Sequence, residues 1–157
     1  LLFSISAVFA QKVGYVNTQT ILSQIPDYVS AQQTLEKLGN QYKQYLENES
    51  SKIEAAYRQY QADRARLTES QKQMRENEII SMERSLQEKQ KEYFGEEGIM
   101  VVKSEQLIGP IKNQVDAAIK RVADKQGYSL IIDVSSMQGI VYKNDTYDLS
   151  MEVLRNL

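Results

Sequence analysis

Between Ala31 and Tyr93 the chain carries no proline and a single glycine, Gly39, and is dense in Gln, Glu, Lys, Arg, Ala and Leu. So long a run of good helix formers without a breaker is compatible with little besides helix. Apolar side chains return at three- and four-residue steps: Leu35, Leu38, Tyr42, Tyr45, Ile53, Tyr57, Tyr60 and Leu67 going out, then Ile79, Met82, Leu86 and Tyr93 coming back. The stripe is narrow and interrupted by Glu49, Asn77 and Lys89 or Gln90, which suits the seam of a two-helix coiled coil better than burial in a globular core. The expected element is an antiparallel helical hairpin over residues 29–109 that turns at Leu67, Thr68, Glu69 and Ser70. An arm of about 38 residues reaches about 57 Å at about 1.5 Å per residue, beyond the radius of a compact domain of this length, so it is expected to project into solvent. Two capping boxes compete at the turn, Thr68 with Gln71 and Ser70 with Gln73.

The remaining residues, 11–28 and 110–157, read as a small β-containing body, giving an α+β fold that is mostly α. KVGYVN (Lys12 to Asn17) has strand composition, and Asn17 or Thr18 caps a short helix carrying Ile21, Leu22 and Ile25, ended by Pro26 and Asp27. Gly95, Gly98, Gly109 and Pro110 mark flexible or strained points, with Gly109–Pro110 the expected break. A helix then resumes with Ile111, Val115, Ala118, Ile119 and Val122 on one face and Gly127 as its C-cap. SLIIDV places Leu130, Ile132 and Val134 on one side of a strand, as the surface on which that helix packs, GIVYK (Gly139 to Lys143) reads as a third strand, and Asp148 or Ser150 caps a last helix burying Val153, Leu154 and Leu157. Three short strands leave two open edges on a core of marginal size. The body is therefore expected to close by oligomerising through Val13, Tyr15, Leu130, Ile132, Val134, Ile140 and Tyr142.

Composition removes many functions. There is no Cys, His or Trp, which excludes thiol nucleophiles, Cys/His zinc sites, Ser-His-Asp triads and histidine shuttles. Asp133 is the one carboxylate worth weighing as a catalyst, and with no partner acid or His it reads as an acceptor of turn amides. No catalytic residue, metal ligand or cofactor site is assigned. A net charge of -2 gives no reason to expect nucleic acid, and Lys52, Arg58, Arg64 and Arg66 read as a solvated helix face. The opening LLFSISAVFA, with Val8 and Ala10 at the small-residue positions of a cleavage site, reads as the remnant of a secretory signal cut before Gln11. It is too short to span a bilayer, so an exported chain without stable membrane insertion is expected.

Taken together, KVGYVN, ILSQIPDYVSAQQTLEKL, the LTESQ turn, GPIKNQVDAAIKRVADKQGYSLIIDV and DLSMEVLRNL resemble the periplasmic chaperones of the Skp or OmpH type over nearly the whole mature chain. The last two blocks carry most of the resemblance. It implies a periplasmic homotrimer whose hairpins enclose unfolded outer-membrane β-barrel proteins, without ATP, cofactor or catalysis. The chain departs from the strongly basic enterobacterial member in being slightly acidic.

A client with exposed apolar segments needs many weak contacts from soft or amphipathic side chains. Tyr42, Tyr45, Tyr57, Tyr60, Met74, Met82, Tyr93 and Phe94 are the expected client contacts on the arm, Met74 and Phe94 foremost because they break the seam. The rival reading of the same texture is a structural coiled-coil adaptor or spacer of the cell envelope, whose hairpin tip docks a partner.

Overall fold

The computed structural model describes residues 11–157, so the expected signal remnant at residues 1–10 lies outside the described residues. Strand β1 (Val13–Val16) leads to helix α1 (Thr18–Ser23), then α2 (Pro26–Asp63), a 3-10 turn (Arg64–Arg66), α3 (Glu69–Phe94), α4 (Ile99–Gln126), β2 (Leu130–Asp133), a second 3-10 turn (Asp145–Tyr147) and α5 (Ser150–Arg155). The chain divides into two compact units, one ending at Ala31 and resuming at Leu107–Leu157, the other spanning Gln32–Gln106.

The first unit is built on a parallel pair, β1 beside β2, with Val13 opposite Leu130 and Val16 opposite Asp133. Side chains alternate across a strand. One face therefore carries Gly14, Val16 and Ile131, and the other Val13, Tyr15, Leu130 and Ile132. Helices cover the first face only. Ile111, Val115, Ala118 and Val122 of α4, at steps of four, three and four, close on Val16, Ile21 and Leu22, Tyr28 and Ala31 of α2, and Leu149 and Val153. The sequence reading placed Leu130, Ile132 and Val134 toward the helix. The register instead sends Ile131 there, beside Gly14, where an added Cβ would lie 2.8 Å from Leu149 and 2.9 Å from Tyr128.

Four further expectations are corrected. Pro26 begins α2 rather than ending α1, which stops at Ser23; the first turn of a helix has no use for the amide that proline lacks. The helix also runs through Gly109–Pro110. The residue before a proline is pushed out of the helical region by its Cβ, which Gly109 does not have, and Ile108 and Ile111 anchor the helix in the core on either side. Finally, GIVYK is not a strand. One side of β1 is taken by β2 and the other by a bridge from Tyr15 to Asp148, so this segment has no edge of β1 to join. Leu157, expected in the core, is 49% exposed beyond the end of α5.

The second unit is the hairpin. Its turn uses the earlier of the two capping boxes: the Gln71 amide donates to Thr68 Oγ1 at 3.3 Å and the Thr68 amide to Gln71 Oε1 at 2.9 Å. The break on the return side falls at Gly95–Gly98, where the Gly95 amide still donates to the Lys91 carbonyl at 2.8 Å and the Gly98 amide to Gly95 at 2.9 Å. The three atoms nearest a Cβ on Gly98 would all be main chain, two of Gly95 at 2.8 Å and 2.9 Å and one of Tyr93 at 3.0 Å. Gly98→Ala is expected to destabilise the hairpin by about 1–3 kcal/mol, because rigid backbone must move. A melting curve unchanged by the substitution would show that the junction rearranges freely.

Candidate binding surfaces

In the hairpin the seam buries Tyr60 and Ile79 and half-buries Leu38, Tyr42, Leu46, Ile53, Ala56, Met82, Leu86 and Tyr93. Tyr42 stacks on Tyr93 with ring centres 4.1 Å apart. Phe94 stands edge-on to Tyr42 at 6.4 Å and Tyr45 edge-on to Tyr93 at 6.0 Å. Offset and edge contacts of this kind add about 0.5–1.5 kcal/mol each beyond burial. Tyr60 donates its hydroxyl to Glu76 across the seam, a bond that raises the phenol pKa, as burial does in addition.

The expected contact residues thus separate into two groups. Tyr42, Tyr60, Met82 and Tyr93 are committed to holding the two helices together. Tyr57 (52% exposed), Met74 (63%) and, to a lesser degree, Tyr45 and Phe94 face solvent. Ile80, 53% exposed, belongs with the second group and was not picked out from the sequence. Its signal was available: it lies one residue past the seam position Ile79, so the two isoleucines face different ways. Tyr45 and Tyr57, read as seam, are displaced from it because Leu46 and Ala56 hold the spacing instead.

Charges on the hairpin pair along each helix. Glu49–Lys52, Glu54–Arg58, Glu69–Lys72, Arg75–Glu78 and Lys89–Glu92 are all three or four residues apart. Their hydrogen bonds raise the Lys52 and Lys89 pKa values and lower that of Glu69. Lys52 and Arg58 therefore belong to a solvated face, as the composition implied.

In the body, Asp133 ends β2 and accepts four hydrogen bonds: from the Thr18 amide at 3.2 Å and hydroxyl at 2.6 Å, and from the Ser135 amide at 3.0 Å and hydroxyl at 2.9 Å. It ties β2 to the start of α1. Burial pushes its pKa up, but these donors outweigh burial and leave it below the ordinary value of 3.8. A folded-state pKa below the unfolded one contributes stability above about pH 3.8 that is lost as pH falls through the folded-state value. Asp133→Ala is expected to destabilise by about 1–2 kcal/mol at neutral pH, discounted for the exposure of the carboxylate. The gap to the parent chain should narrow as melts are taken below pH 3.8; a gap constant down to pH 2 would mean the carboxylate charge is irrelevant.

The helix-free face of the sheet lines a groove of about 780 Å³. Six of the seven residues expected to mediate assembly line it: Val13, Tyr15, Ile132, Val134, Ile140 and Tyr142. Leu130, 52% exposed, lies on the same face outside it. The Tyr15 hydroxyl donates to Asp145 at 3.2 Å, and the Lys143 ammonium sits 4.8 Å from the centre of the Tyr15 ring. Among the described residues, no group of three or more His, Cys, Asp or Glu is placed to hold a metal, and no helix is long and apolar enough to cross a membrane.

The described residues thus comprise a solvated helical hairpin with several large apolar side chains left exposed and a small two-stranded body with an apolar groove. The chain belongs to the OmpH-like family of outer membrane proteins, whose family model matches residues 12–157. It is 23% identical over 154 residues to the chaperone protein Skp of Vibrio cholerae, covering 96% of this chain and 85% of that one. To the chaperone protein Skp of Yersinia enterocolitica it is 21% identical over 152 residues, covering 97% and 89%. Among solved structures, a putative OmpH-like outer membrane chaperone from Caulobacter crescentus shares the fold with a TM-score of 0.69 at 12% identity, covering 93% and 83%.

Proposed function

We propose that the chain is an ATP-independent holding chaperone of the periplasm that binds unfolded outer-membrane β-barrel proteins, acting as a homotrimer assembled through the body. The observation that carries this reading is the set of large apolar side chains left exposed on the hairpin, Tyr57, Met74 and Ile80, on helices whose own seam is already filled by other side chains. Side chains left over from the fold are the ones available to a client, and large exposed apolar groups are the kind that unfolded β-segments bury. The relatives named as chaperones support the same reading. The groove on the open sheet face supports self-association, since an apolar sheet face without helices needs cover.

The test is light scattering of a urea-unfolded outer-membrane barrel protein diluted into buffer with increasing amounts of the chain from Gln11. Suppressed aggregation that saturates near three chains per client, without ATP, is the expected result. Unchanged aggregation across several barrel proteins would overturn the reading and favour the envelope adaptor, whose function would then depend on Leu67 to Ser70 at the tip.

A further inference from the structure

Tyr42 and Tyr93 meet near the open end of the hairpin, far in sequence from the turn that joins its two helices. Their rings are within 8° of parallel with centres 4.1 Å apart, close to the contact distance of carbon atoms, about 3.5–4.0 Å. Tyr45, 41% exposed, stands edge-on to Tyr93 at 6.0 Å. The half-buried pair thus has a solvent-facing phenol beside it. Tyr15 and Tyr60 donate their hydroxyls to Asp145 and Glu76; among the described residues no such bond is made by Tyr42 or Tyr93. Nor does the aromatic packing call for hydroxyls, since Phe94 joins the same cluster without one. Two stacked phenols have a chemistry that phenylalanines lack. Each can lose an electron and its hydroxyl proton, and the two radicals can then join through their ring carbons.

We propose that Tyr42 and Tyr93 are a site of oxidative cross-linking, at which a one-electron oxidant of the haem-peroxidase class ties helix α2 to helix α3 by a bond between the two rings. Each phenol gives up one electron and one proton. The radicals couple at the carbons ortho to oxygen, and the two protons on those carbons pass through solvent to the oxygens, restoring the phenols. With hydrogen peroxide as the electron acceptor, two tyrosines and one peroxide give one dityrosine and two waters. Rings already in contact couple with each other in preference to distant ones, because proximity replaces a bimolecular encounter. The bond closes a loop of about 50 residues around the outer hairpin, in a chain that has ten tyrosines and no cysteine with which to form a disulfide. What the hairpin holds has no bearing on this chemistry.

The test treats the chain from Gln11 with a haem peroxidase and hydrogen peroxide. Dityrosine fluorescence is expected to appear without a rise in chain mass on a denaturing gel. Tryptic digestion should return a linked pair of peptides carrying Tyr42 and Tyr93, lighter than their sum by two hydrogens and at least about tenfold more abundant than any other tyrosine pair. Tyr42→Phe keeps the stacked ring and removes a hydroxyl, so it should abolish that pair and most of the fluorescence. Tyr57→Phe, at an exposed position outside the cluster, should leave both unchanged. Oxidation is expected to raise the melting temperature of the parent hairpin by at least about 10 °C, and that of the Tyr42→Phe variant not at all. Links scattered over the exposed Tyr57, Tyr142 and Tyr147, links chiefly between chains, or a Tyr45–Tyr93 link in excess would each overturn the inference.

Discussion

Replacing Ile21 by alanine is expected to lower the stability of the body by about 3 kcal/mol, within the 2–5 kcal/mol typical of buried isoleucine truncations. Ile21 is fully buried on a six-residue helix, and a helix so short has no stability of its own. Beyond the local Asn17 cap, which accepts from the Thr20 amide at 3.0 Å, what holds α1 is tertiary: its packing on α5 and the Asp133 clamp on Thr18. In a body of this size 1 kcal/mol shifts the melting temperature by about 4–8 °C, so a fall of about 12–24 °C is expected by calorimetry. Leu157→Ala, at a half-exposed terminal position, should change it by less than about 4 °C. A small effect at Ile21 would mean that α1 packs loosely and that the core is carried by α4 alone.

The two helices of the hairpin and the place of its turn were legible because helix formation and breaking are local. Spacing along one segment narrowed the cap to two boxes, and the structure forms the one at Thr68 with Gln71. The same holds for Gly127, whose φ of +70° is the left-handed cap that a helix ending in glycine announces. What misled was punctuation read one residue at a time. Pro26 and Pro110 are both helix breakers by propensity, yet one opens a helix and the other sits inside one. The first is decided by position in the turn, the second by the absent Cβ of Gly109 and by isoleucines on both sides that keep α4 in the core. Gly95–Gly98 makes the real break because its backbone packs against itself too closely for any side chain.

Strand assignments depend on partners, and partners are distant in sequence. GIVYK has strand composition, but both sides of β1 are taken, by β2 and by the Tyr15–Asp148 bridge, and composition alone cannot register that. Likewise the face of β2 that meets α4 is fixed by its pairing with β1, which puts Ile131 beside Gly14. On the hairpin, aromatic residues at three- and four-residue steps all read alike. Only the meeting of two helices separates Tyr60, aimed at Glu76, from Tyr57 three residues earlier and open to solvent.

That separation sets up the most discriminating prediction for the arm. Tyr57→Ser, Met74→Ser and Ile80→Ser combined remove three large exposed apolar groups without touching the seam. Each is expected to contribute about 1 kcal/mol to client contact, from partial burial at about 25 cal/mol per Å². Together they should weaken the apparent affinity for an unfolded barrel protein roughly hundredfold, with melting of the hairpin changed by less than about 4 °C. Ile79→Ala, one residue from Ile80 but buried in the seam, should do the reverse: lower stability by about 2–4 kcal/mol and leave holding intact at temperatures where the hairpin stays folded. Aggregation suppression and thermal melts on the two variants therefore respond separately, one variant losing holding and the other stability, if these exposed side chains do the holding. If the triple variant still holds clients as well as the parent chain, the hairpin acts through its length and charge alone, and the exposed Tyr57, Met74 and Ile80 have no part in it.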